Sequence, residues 1–254
     1  MVSKGYDSEQ SGDYEEALYW YRKDARQGYK IGQINLGVFY ERGKGITKDL
    51  NLSVKWYKKA AAQDYPNAQY NLGVFHERGI GVEKDVHMAA DYYRDAAAQD
   101  YPNAIYNMGV FYERGRGVKE NKRKAAELYQ RAADLDYPNA IYNLGVFYER
   151  GTGVEKDIYQ AAELYQRAAD LDYPNAQYNL AVFYERGLGG LDKDLYEAVH
   201  WYKKSANQDY ASSQYNLGVF YDNGWGGLTK SNKKAKDLYR KACDNGKEHA
   251  CQYM

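Results

Sequence analysis

Apolar positions recur with a helical period along most of the chain. In residues 65–100, Leu72, Phe75 and Gly79 follow one another at spacings of three and four, as on one face of a helix. Pro66 suits the first turn of such a helix, and glycine can adopt the left-handed conformation that ends one. The pattern predicts a helix, called helix A, from about Pro66 to Gly79.

A second helix, called helix B, is predicted after a loop of about five residues. Asp85 is suited to its N-cap, because a carboxylate oxygen can accept a free backbone N–H of the first turn. Ala89, Ala90 and Tyr93 then begin a helical stripe. Residues of the same capping type stand at Asp49, Asn121, Asp157, Asp194 and Ser231. The same helix pair is therefore expected in every unit.

The segment Tyr-Asn-Leu-Gly-Val-Phe, with small variations, recurs through the whole chain. Its Asn residues are 36, 36, 36, 36 and 37 residues apart. They are Asn35, Asn71, Asn107, Asn143, Asn179 and Asn216. A repeat of this length is typical of a solenoid, in which each unit buries its apolar face against its neighbours.

The pattern Ala-x-Tyr-Asn-Leu-Gly-x-x-Tyr-x-x-Gly-x-Gly-Val-x-x-Asp, followed by Ala-x-x-Tyr-x-x-Ala-Ala, resembles the Sel1-like repeat family, which is related to tetratricopeptide repeats. The resemblance implies an all-α fold, a right-handed α-solenoid superhelix of antiparallel helix pairs with repeats of about 36 residues. It also implies that the A helices line the concave face and that the protein is a non-enzymatic adaptor.

The resemblance covers residues 13–254 and indicates one solenoid domain after an N-terminal tail, residues 1–12. The predicted parts are a partial repeat at 13–28, full repeats from about 29, 65, 101, 137, 173 and 210, and a partial C-terminal helix at 247–254. The repeat from 173 departs from the pattern, with Ala181 in place of glycine and one residue inserted around Gly189-Gly190. A slight change of local stacking is expected there.

Charge and hydropathy exclude some classes of partner. The 35 basic and 35 acidic side chains cancel, which argues against nucleic acid and anionic membranes as general partners. No stretch approaches the roughly 18 consecutive apolar residues of a membrane helix. The start of the chain lacks the apolar core of a signal peptide, so a cytoplasmic location is expected. A secreted or periplasmic location would apply if a leader had been removed.

The recurring Asn residues are the first candidates for binding. In related tetratricopeptide folds this position points into the groove, where an amide can both donate to and accept from a peptide backbone. The proposed partner-binding amides are Asn71, Asn107, Asn143, Asn179 and Asn216. The alternative is that they hydrogen-bond the neighbouring repeat and set its packing.

Tyrosines and arginines stand around these amides, and both residue types are enriched where protein interfaces concentrate binding energy. The candidates are Tyr70, Tyr106, Tyr142, Tyr178, Arg78, Arg114 and Arg150, with Tyr215, Arg42 and Arg186 at equivalent positions. The alternative for each Arg is a surface ion pair with the Glu that precedes it. Asp222-Asn223 replaces Glu-Arg in the last repeat, so a basic strip would fade there.

Cys243 and Cys251 are eight residues apart, and such a connection could bring both sulfurs into bridging range. A cysteine-rich branch of the Sel1-like proteins places disulfides at a similar spacing, which makes a disulfide the alternative here. Because one surviving pair is weak evidence of an oxidising compartment, a reduced, partly buried pair is expected.

Other chemistry finds little support. The glycine loops lack the spacing of a phosphate-binding loop, and the four His residues occupy isolated positions. No arrangement of residues supports catalysis, so neither an enzyme nor a cofactor is predicted. Two functions remain. One is a scaffold that binds a protein or peptide on the concave face. The other is a structural repeat protein, natural or engineered, that self-associates through its C-terminal end.

Overall fold

The computed structural model describes residues 2–254, with side chains from Lys4 onward. All secondary structure in this part of the chain is helical. The helices are α1 (Val2–Gln10), α2 (Tyr14–Arg26), α3 (Lys30–Arg42), α4 (Leu50–Ala61), α5 (Pro66–Arg78), α6 (Val86–Ala98), α7 (Pro102–Arg114), α8 (Lys122–Asp134), α9 (Pro138–Arg150), α10 (Ile158–Asp170), α11 (Pro174–Arg186), α12 (Leu195–Ala206), α13 (Ala211–Asn223), α14 (Asn232–Asp244) and a 3₁₀ helix (Glu248–Tyr253).

The helices form two compact units, and the boundary between them falls after Leu128, within α8. In the first unit each helix from α1 to α7 packs on its neighbours in sequence. In the second unit the same holds from α9 to α14, and the 3₁₀ helix packs on α14. Odd-numbered helices are A helices and even-numbered helices are B helices. This order confirms the predicted all-α solenoid fold of helix pairs.

The helix ends lie where the sequence places them. Helix α5 begins at Pro66 and ends before Gly79, which has a φ of 71°. In α6 the Asp85 carboxylate accepts the backbone N–H groups of His87 and Met88. The other predicted caps make the same type of hydrogen bond, namely Asp49, Asn121, Asp157, Asp194 and Ser231.

Five B helices are followed by an aspartate in the left-handed region, with φ between 53° and 64°. These residues are Asp64, Asp100, Asp136, Asp172 and Asp209. Aspartate tolerates this conformation better than most residues do. The chain therefore turns from helix B into the next helix A without a glycine at these positions.

A tyrosine in each B helix from α2 to α12 is fully buried and meets the phenylalanine of the next A helix edge to face, with ring centroids 5.2–5.5 Å apart. The pairs are Tyr21–Phe39, Tyr57–Phe75, Tyr93–Phe111, Tyr129–Phe147, Tyr165–Phe183 and Tyr202–Phe220. Such a geometry contributes about 0.5–1.5 kcal/mol beyond burial of the ring area. These rings join each repeat to the next.

The tyrosine ring also lies against a glycine of its own repeat. A Cβ atom on Gly73 would lie 2.5 Å from a carbon of the Tyr93 ring. Ala181 occupies the equivalent position in its repeat, and there the Tyr202 and Phe220 rings cross at 68°. The other five pairs cross at 82–89°. The smaller angle occurs in the repeat that has both Ala181 and the extra residue around Gly189-Gly190.

Helix α1 lies within the segment delimited above as the N-terminal tail. The Tyr21 hydroxyl donates to Glu9 at 2.9 Å, and a Cβ atom on Gly5 would lie 2.7 Å from the Tyr21 ring. The same Tyr–Glu and Tyr–Gly contacts occur in the later repeats. Helices α1 and α2 therefore make a helix pair of the same kind.

The C-terminal 3₁₀ helix covers the last helix pair. Ala250 is fully buried, and the Tyr253 ring packs on Tyr239 and Tyr215 at centroid distances of 5.4 and 6.0 Å. Cys243 and Cys251 form a disulfide across this junction, with Cα atoms 5.0 Å apart, so the expectation of a reduced pair is wrong. The partial C-terminal helix thus acts as a cap that is covalently tied to α14.

Replacing Cys243 and Cys251 by Ala is expected to lower the free energy of unfolding of the last repeat by about 2–3 kcal/mol, because a loop of this length restricts the unfolded chain by that amount. Hydrogen exchange of α14 amides, compared between the oxidised protein and the double variant, measures the loss. Unchanged exchange would show that packing of Tyr253 alone holds the cap.

Asp24 carries a buried carboxyl group in the core of the first unit. Its side chain is 0% exposed and neither carboxylate oxygen has a hydrogen-bond partner among the described residues. Gly32 makes room for it, since a Cβ atom there would lie 2.5 Å from the Asp24 Cβ. At the equivalent position Ser205 is satisfied, with its Oγ donating to the Pro174 carbonyl at 2.8 Å.

Asp24→Ala is therefore expected to raise the free energy of unfolding by about 1–3 kcal/mol, because it removes an unsatisfied buried polar group. Ser205→Ala is the matched control and is expected to lower it by about 1 kcal/mol. Urea unfolding of both variants measures whether the free energy of unfolding rises or falls in each. A loss of stability in Asp24→Ala would mean that the carboxylate has a partner in solution.

Candidate functional site

The candidate amides lie on the A helices and are half-buried. The Asn216 Nδ2 donates to the Tyr202 hydroxyl at 3.0 Å. Asn107 and Asn179 lie close to the equivalent hydroxyls of Tyr93 and Tyr165. Each of these three amides thus contacts the B helix of the preceding repeat, which is the packing role considered as the alternative above.

Asn71 has a different partner. The Nδ2 of Asn71 donates to Asn67 Oδ1 within the same helix, at 3.2 Å. Asn143 lies half-buried at the equivalent position of α9. The amides therefore share a place on the A helices but not one common partner.

The buried tyrosine hydroxyls each donate to a carboxylate at the end of the preceding A helix. The pairs are Tyr21–Glu9, Tyr57–Glu41, Tyr93–Glu77, Tyr165–Glu149, Tyr202–Glu185 and Tyr239–Asp222, at 2.5–2.9 Å. Burial raises the pKa of each tyrosine well above its usual value, and the bond to the carboxylate raises it further. The hydroxyls therefore stay protonated and orient the carboxylates.

A second set of amides lies deeper in the fold. Gln69 and Gln177 are 5% and 0% exposed. Each accepts from a glutamine at the end of the following B helix, Gln99 and Gln208, at 2.8 and 3.0 Å. These bonds join the A and B helices of one repeat, and Gln177 also donates to the Ala169 carbonyl of the preceding repeat at 3.3 Å. The asparagines two residues later remain partly open to solvent.

The candidate tyrosines of the A helices pack between two other rings. The Tyr178 ring lies 6.0 Å from Tyr202 and 5.4 Å from Tyr210, and Tyr70 and Tyr142 make equivalent contacts in their own units. Tyr106 is half-buried at the same position of α7. These tyrosines therefore join repeats and also present an edge to the A-helix face.

The candidate arginines are exposed at the ends of the A helices, and they are Arg42, Arg78, Arg114, Arg150 and Arg186. None of them forms an ion pair within the described part of the chain. Glu77, the residue before Arg78, instead binds the Tyr93 hydroxyl and the guanidinium of Arg116 at 3.0 Å. The surface ion pairs considered above are therefore not seen.

In the second unit the candidate residues line a cavity of about 560 Å³ between α11 and α13. We call it the α11–α13 groove. Its candidate residues are Tyr178, Asn179, Arg186, Tyr215 and Asn216. The remaining wall includes Val182, Val219 and Trp225, with the carboxylates of Glu149 and Glu185. Sequence reasoning identified the amides and tyrosines but not the two carboxylates, the two valines or Trp225.

A second cavity of about 800 Å³ lies beside α10, where Tyr159, Ala162 and Leu171 line it together with the glycine loop at Gly189 and Gly190. It contains none of the residues predicted to bind a partner.

Two further classes of site were considered. Among residues 2–254, no group of three or more His, Cys, Asp or Glu side chains is arranged to hold a metal ion. The helices of the described segment are too short or too polar to cross a membrane.

A family model described as Sel1 repeat matches seven successive segments of the chain. They are residues 2–29, 31–65, 66–101, 102–137, 138–173, 174–210 and 211–247. The first match includes α1, in agreement with the helix pair seen there. No curated protein matches the chain.

Solved structures give the same result. The chain is similar to a Sel1 repeat protein from Oxalobacter formigenes, with 31% identity, a TM-score of 0.86, and coverage of 95% of this chain and 96% of that one. It is 28% identical to c5321, a protective antigen of uropathogenic Escherichia coli, with a TM-score of 0.69 and 98% of this chain covered, and it spans 65% of that antigen. Immunity protein Pa5087 from Pseudomonas aeruginosa, 24% identical over 82% of this chain and 81% of that one with a TM-score of 0.52, shares the fold.

Proposed function

The chain belongs to the Sel1 repeat family, whose members are generally protein-interaction scaffolds, and we propose that it binds a peptide or an extended protein segment on the face of its A helices. Members of this family are typically non-enzymatic, so binding itself is the proposed activity. The partner is a protein rather than a nucleic acid.

The observation that carries the proposal is the α11–α13 groove. Two of the amides, two of the tyrosines and one of the arginines that the sequence singles out line one cavity of about 560 Å³. Ligand sites are typically concave and combine apolar walls with a few polar groups, and Val182 and Val219 supply the apolar wall here.

The two sets of amides support a division of roles. Buried Gln177 and Gln214 donate to the Ala169 and Ala206 carbonyls of the preceding repeat, and Asn216 uses Nδ2 for the Tyr202 hydroxyl. An amide oxygen has two lone pairs, so the Asn216 Oδ1 is available to a peptide N–H. Tyr178 and Tyr215 would add contact area, and exposed Arg186 would attract an acidic group at the rim.

The proposal is tested with a variant that fills the groove without changing its charge. Val182→Gln combined with Val219→Gln lengthens two half-buried side chains that line the cavity. Peptides of about 12 residues are selected from a random displayed library on the unmodified protein, a length suited to an extended segment in a groove. We expect their affinity for the double variant to fall by roughly tenfold or more.

Leu135→Gln combined with Leu171→Gln is the matched control, because both leucines are about two-fifths exposed, at 42% and 41%, and neither lines the α11–α13 groove. This pair is expected to bind the peptides normally. A loss confined to the leucine variant would place binding elsewhere and contradict the proposal. Circular dichroism of both variants checks that the helices are retained.

Self-association through the C-terminal end is the second proposed function, and one side chain argues against it. Six B helices have a buried or nearly buried aliphatic residue five positions after the cap, such as Ala90 and Ala162. In α14 this residue is Lys236, which is exposed. Terminal repeats of solenoids usually carry such a polar outer face. A molecular mass in solution that increases with protein concentration would nevertheless favour self-association.

A further inference from the structure

We propose that the α11–α13 groove selects a peptide segment that carries a lysine or arginine side chain, which it places between Glu149 and Glu185. This inference rests on the proposed function, because it names the chemistry of the partner that the same groove would take.

The floor of the groove is rich in hydrogen-bond acceptors. The Tyr165 hydroxyl donates to one oxygen of Glu149, and the Tyr202 hydroxyl donates to one oxygen of Glu185, at 2.5 Å in both cases. The second oxygen of each carboxylate has no ion-pair partner in the described structure. Because both carboxylates are half-buried and already oriented, an incoming cation gains their attraction without ordering them first.

The asparagines add acceptors to the same floor. Asn216 directs Nδ2 to the Tyr202 hydroxyl, which leaves its amide oxygen for a ligand, and Asn179 lies close to the hydroxyls of Tyr165 and Tyr142. A lysine ammonium or an arginine guanidinium has only donors, so it matches this arrangement.

The balance of charge at the groove is negative. Glu149 and Glu185 line it, and Arg186 is the basic residue in the lining. In the next repeat Asn223 stands where the other full repeats have arginine, so the guanidinium expected on that side is missing. Charge complementarity therefore favours a cationic group over an acidic one at this place.

The walls suit a long cationic side chain. Val182 and Val219 can cover the aliphatic stem of lysine or arginine. Trp225 is 44% exposed and lines the cavity, and its ring is held edge to face on Phe220 at 5.5 Å. An aromatic face near a bound cation adds a cation–π contact, and Trp is the most effective residue for it.

The test uses the peptides selected from the random library together with the double variant Glu149→Gln, Glu185→Gln. Glutamine retains an acceptor for the tyrosine hydroxyl and removes the charge. We expect the selected peptides to share a lysine or arginine, and their affinity to fall by roughly tenfold on the double variant. The exposed pair Glu163→Gln, Glu197→Gln, on α10 and α12, is the control and should leave the affinity unchanged.

A peptide with norleucine in place of the shared cationic residue completes a double-mutant cycle between the peptide and the two glutamates. It should bind weakly to the unmodified protein and show no further loss on the double variant. Selected peptides that lack a shared cation, but lose affinity on filling Val182 and Val219, would overturn this inference and leave the proposed function intact. If no peptide binds in a manner sensitive to the two valines, both proposals fail.

Discussion

Raising the pH above about 10 is expected to unfold this protein, because that is where tyrosines of the unfolded chain begin to ionise. Six described tyrosines donate their hydroxyl protons to carboxylates in the folded state. Burial and the neighbouring carboxylate raise the pKa of each one. The folded state therefore keeps protons that the unfolded state releases.

The sign and size of the effect follow from this difference. A raised pKa in the folded state contributes its full stability below the unfolded pKa of about 10 and loses it as the pH rises. Each of these tyrosines then lowers the free energy of unfolding by about 1.4 kcal/mol per pH unit. Six together lower it by about 8 kcal/mol at one unit above pH 10. This amount is comparable with the whole stability of a typical domain.

The measurement is the urea midpoint followed by circular dichroism from about pH 8 to pH 11.5, a range that brackets the usual tyrosine pKa. Absorbance of tyrosinate is recorded in parallel, and the part that comes from the six buried hydroxyls should appear only as the helices unfold. A constant urea midpoint across this range would contradict the assigned role of the Tyr–Glu pairs.

Tyr165→Ala is expected to lower the free energy of unfolding by about 3–5 kcal/mol, as large aromatic residues in cores do. The ring is fully buried, packs edge to face on Phe183 at 5.3 Å, and donates to Glu149 at 2.5 Å. Tyr165→Phe keeps the ring but leaves the carboxylate without its donor, so it should cost about 1–2 kcal/mol.

Urea unfolding of both Tyr165 variants separates ring packing from the hydroxyl. Tyr159→Ala, in the same helix, is the control because its side chain is 65% exposed, and it should change the free energy of unfolding by less than about 0.5 kcal/mol. Equal losses in the Ala and Phe variants of Tyr165 would show that the hydroxyl, rather than the ring, carries the stability.

The helix boundaries could be predicted because they depend on local chemistry. Pro66, Gly79 and Asp85 each determine the backbone conformation or capping of their own turn, and the structure has them in those roles. Helix α1 lacks the Pro-Asn start and the Tyr-Asn-Leu segment of the later A helices. Helix α1 is nevertheless recognisable as an A helix from Gly5 and Glu9, which contact Tyr21. Gly73 contacts Tyr93 in the same way.

The carboxylates of the groove had a signal in the sequence. Tyr93 follows Glu77 by 16 residues, and the same separation recurs for Tyr165 and Glu149. It becomes 17 for Tyr202 and Glu185, where one residue is inserted. Such a constant offset between two polar residues indicates a contact between the two helices of one repeat.

The orientation of the asparagine amides could not be predicted in this way. It depends on hydroxyls that come from the preceding repeat, as with Asn216 and Tyr202. The cavity likewise arises from side chains of different repeats, including Trp225 in a loop of irregular length. Sequence periodicity locates equivalent positions, but the space left between them depends on how the side chains pack.

The most direct test of the central claim is photo-crosslinking of a selected peptide from two single positions of the protein. Benzoylphenylalanine in place of the exposed Arg186 lies at the rim of the α11–α13 groove, and in place of Leu171 it lies beside the other cavity of the same unit. If the peptide occupies the groove, we expect a crosslinked product from position 186 and none from position 171. Crosslinking from position 171 alone would show that the partner occupies a different surface.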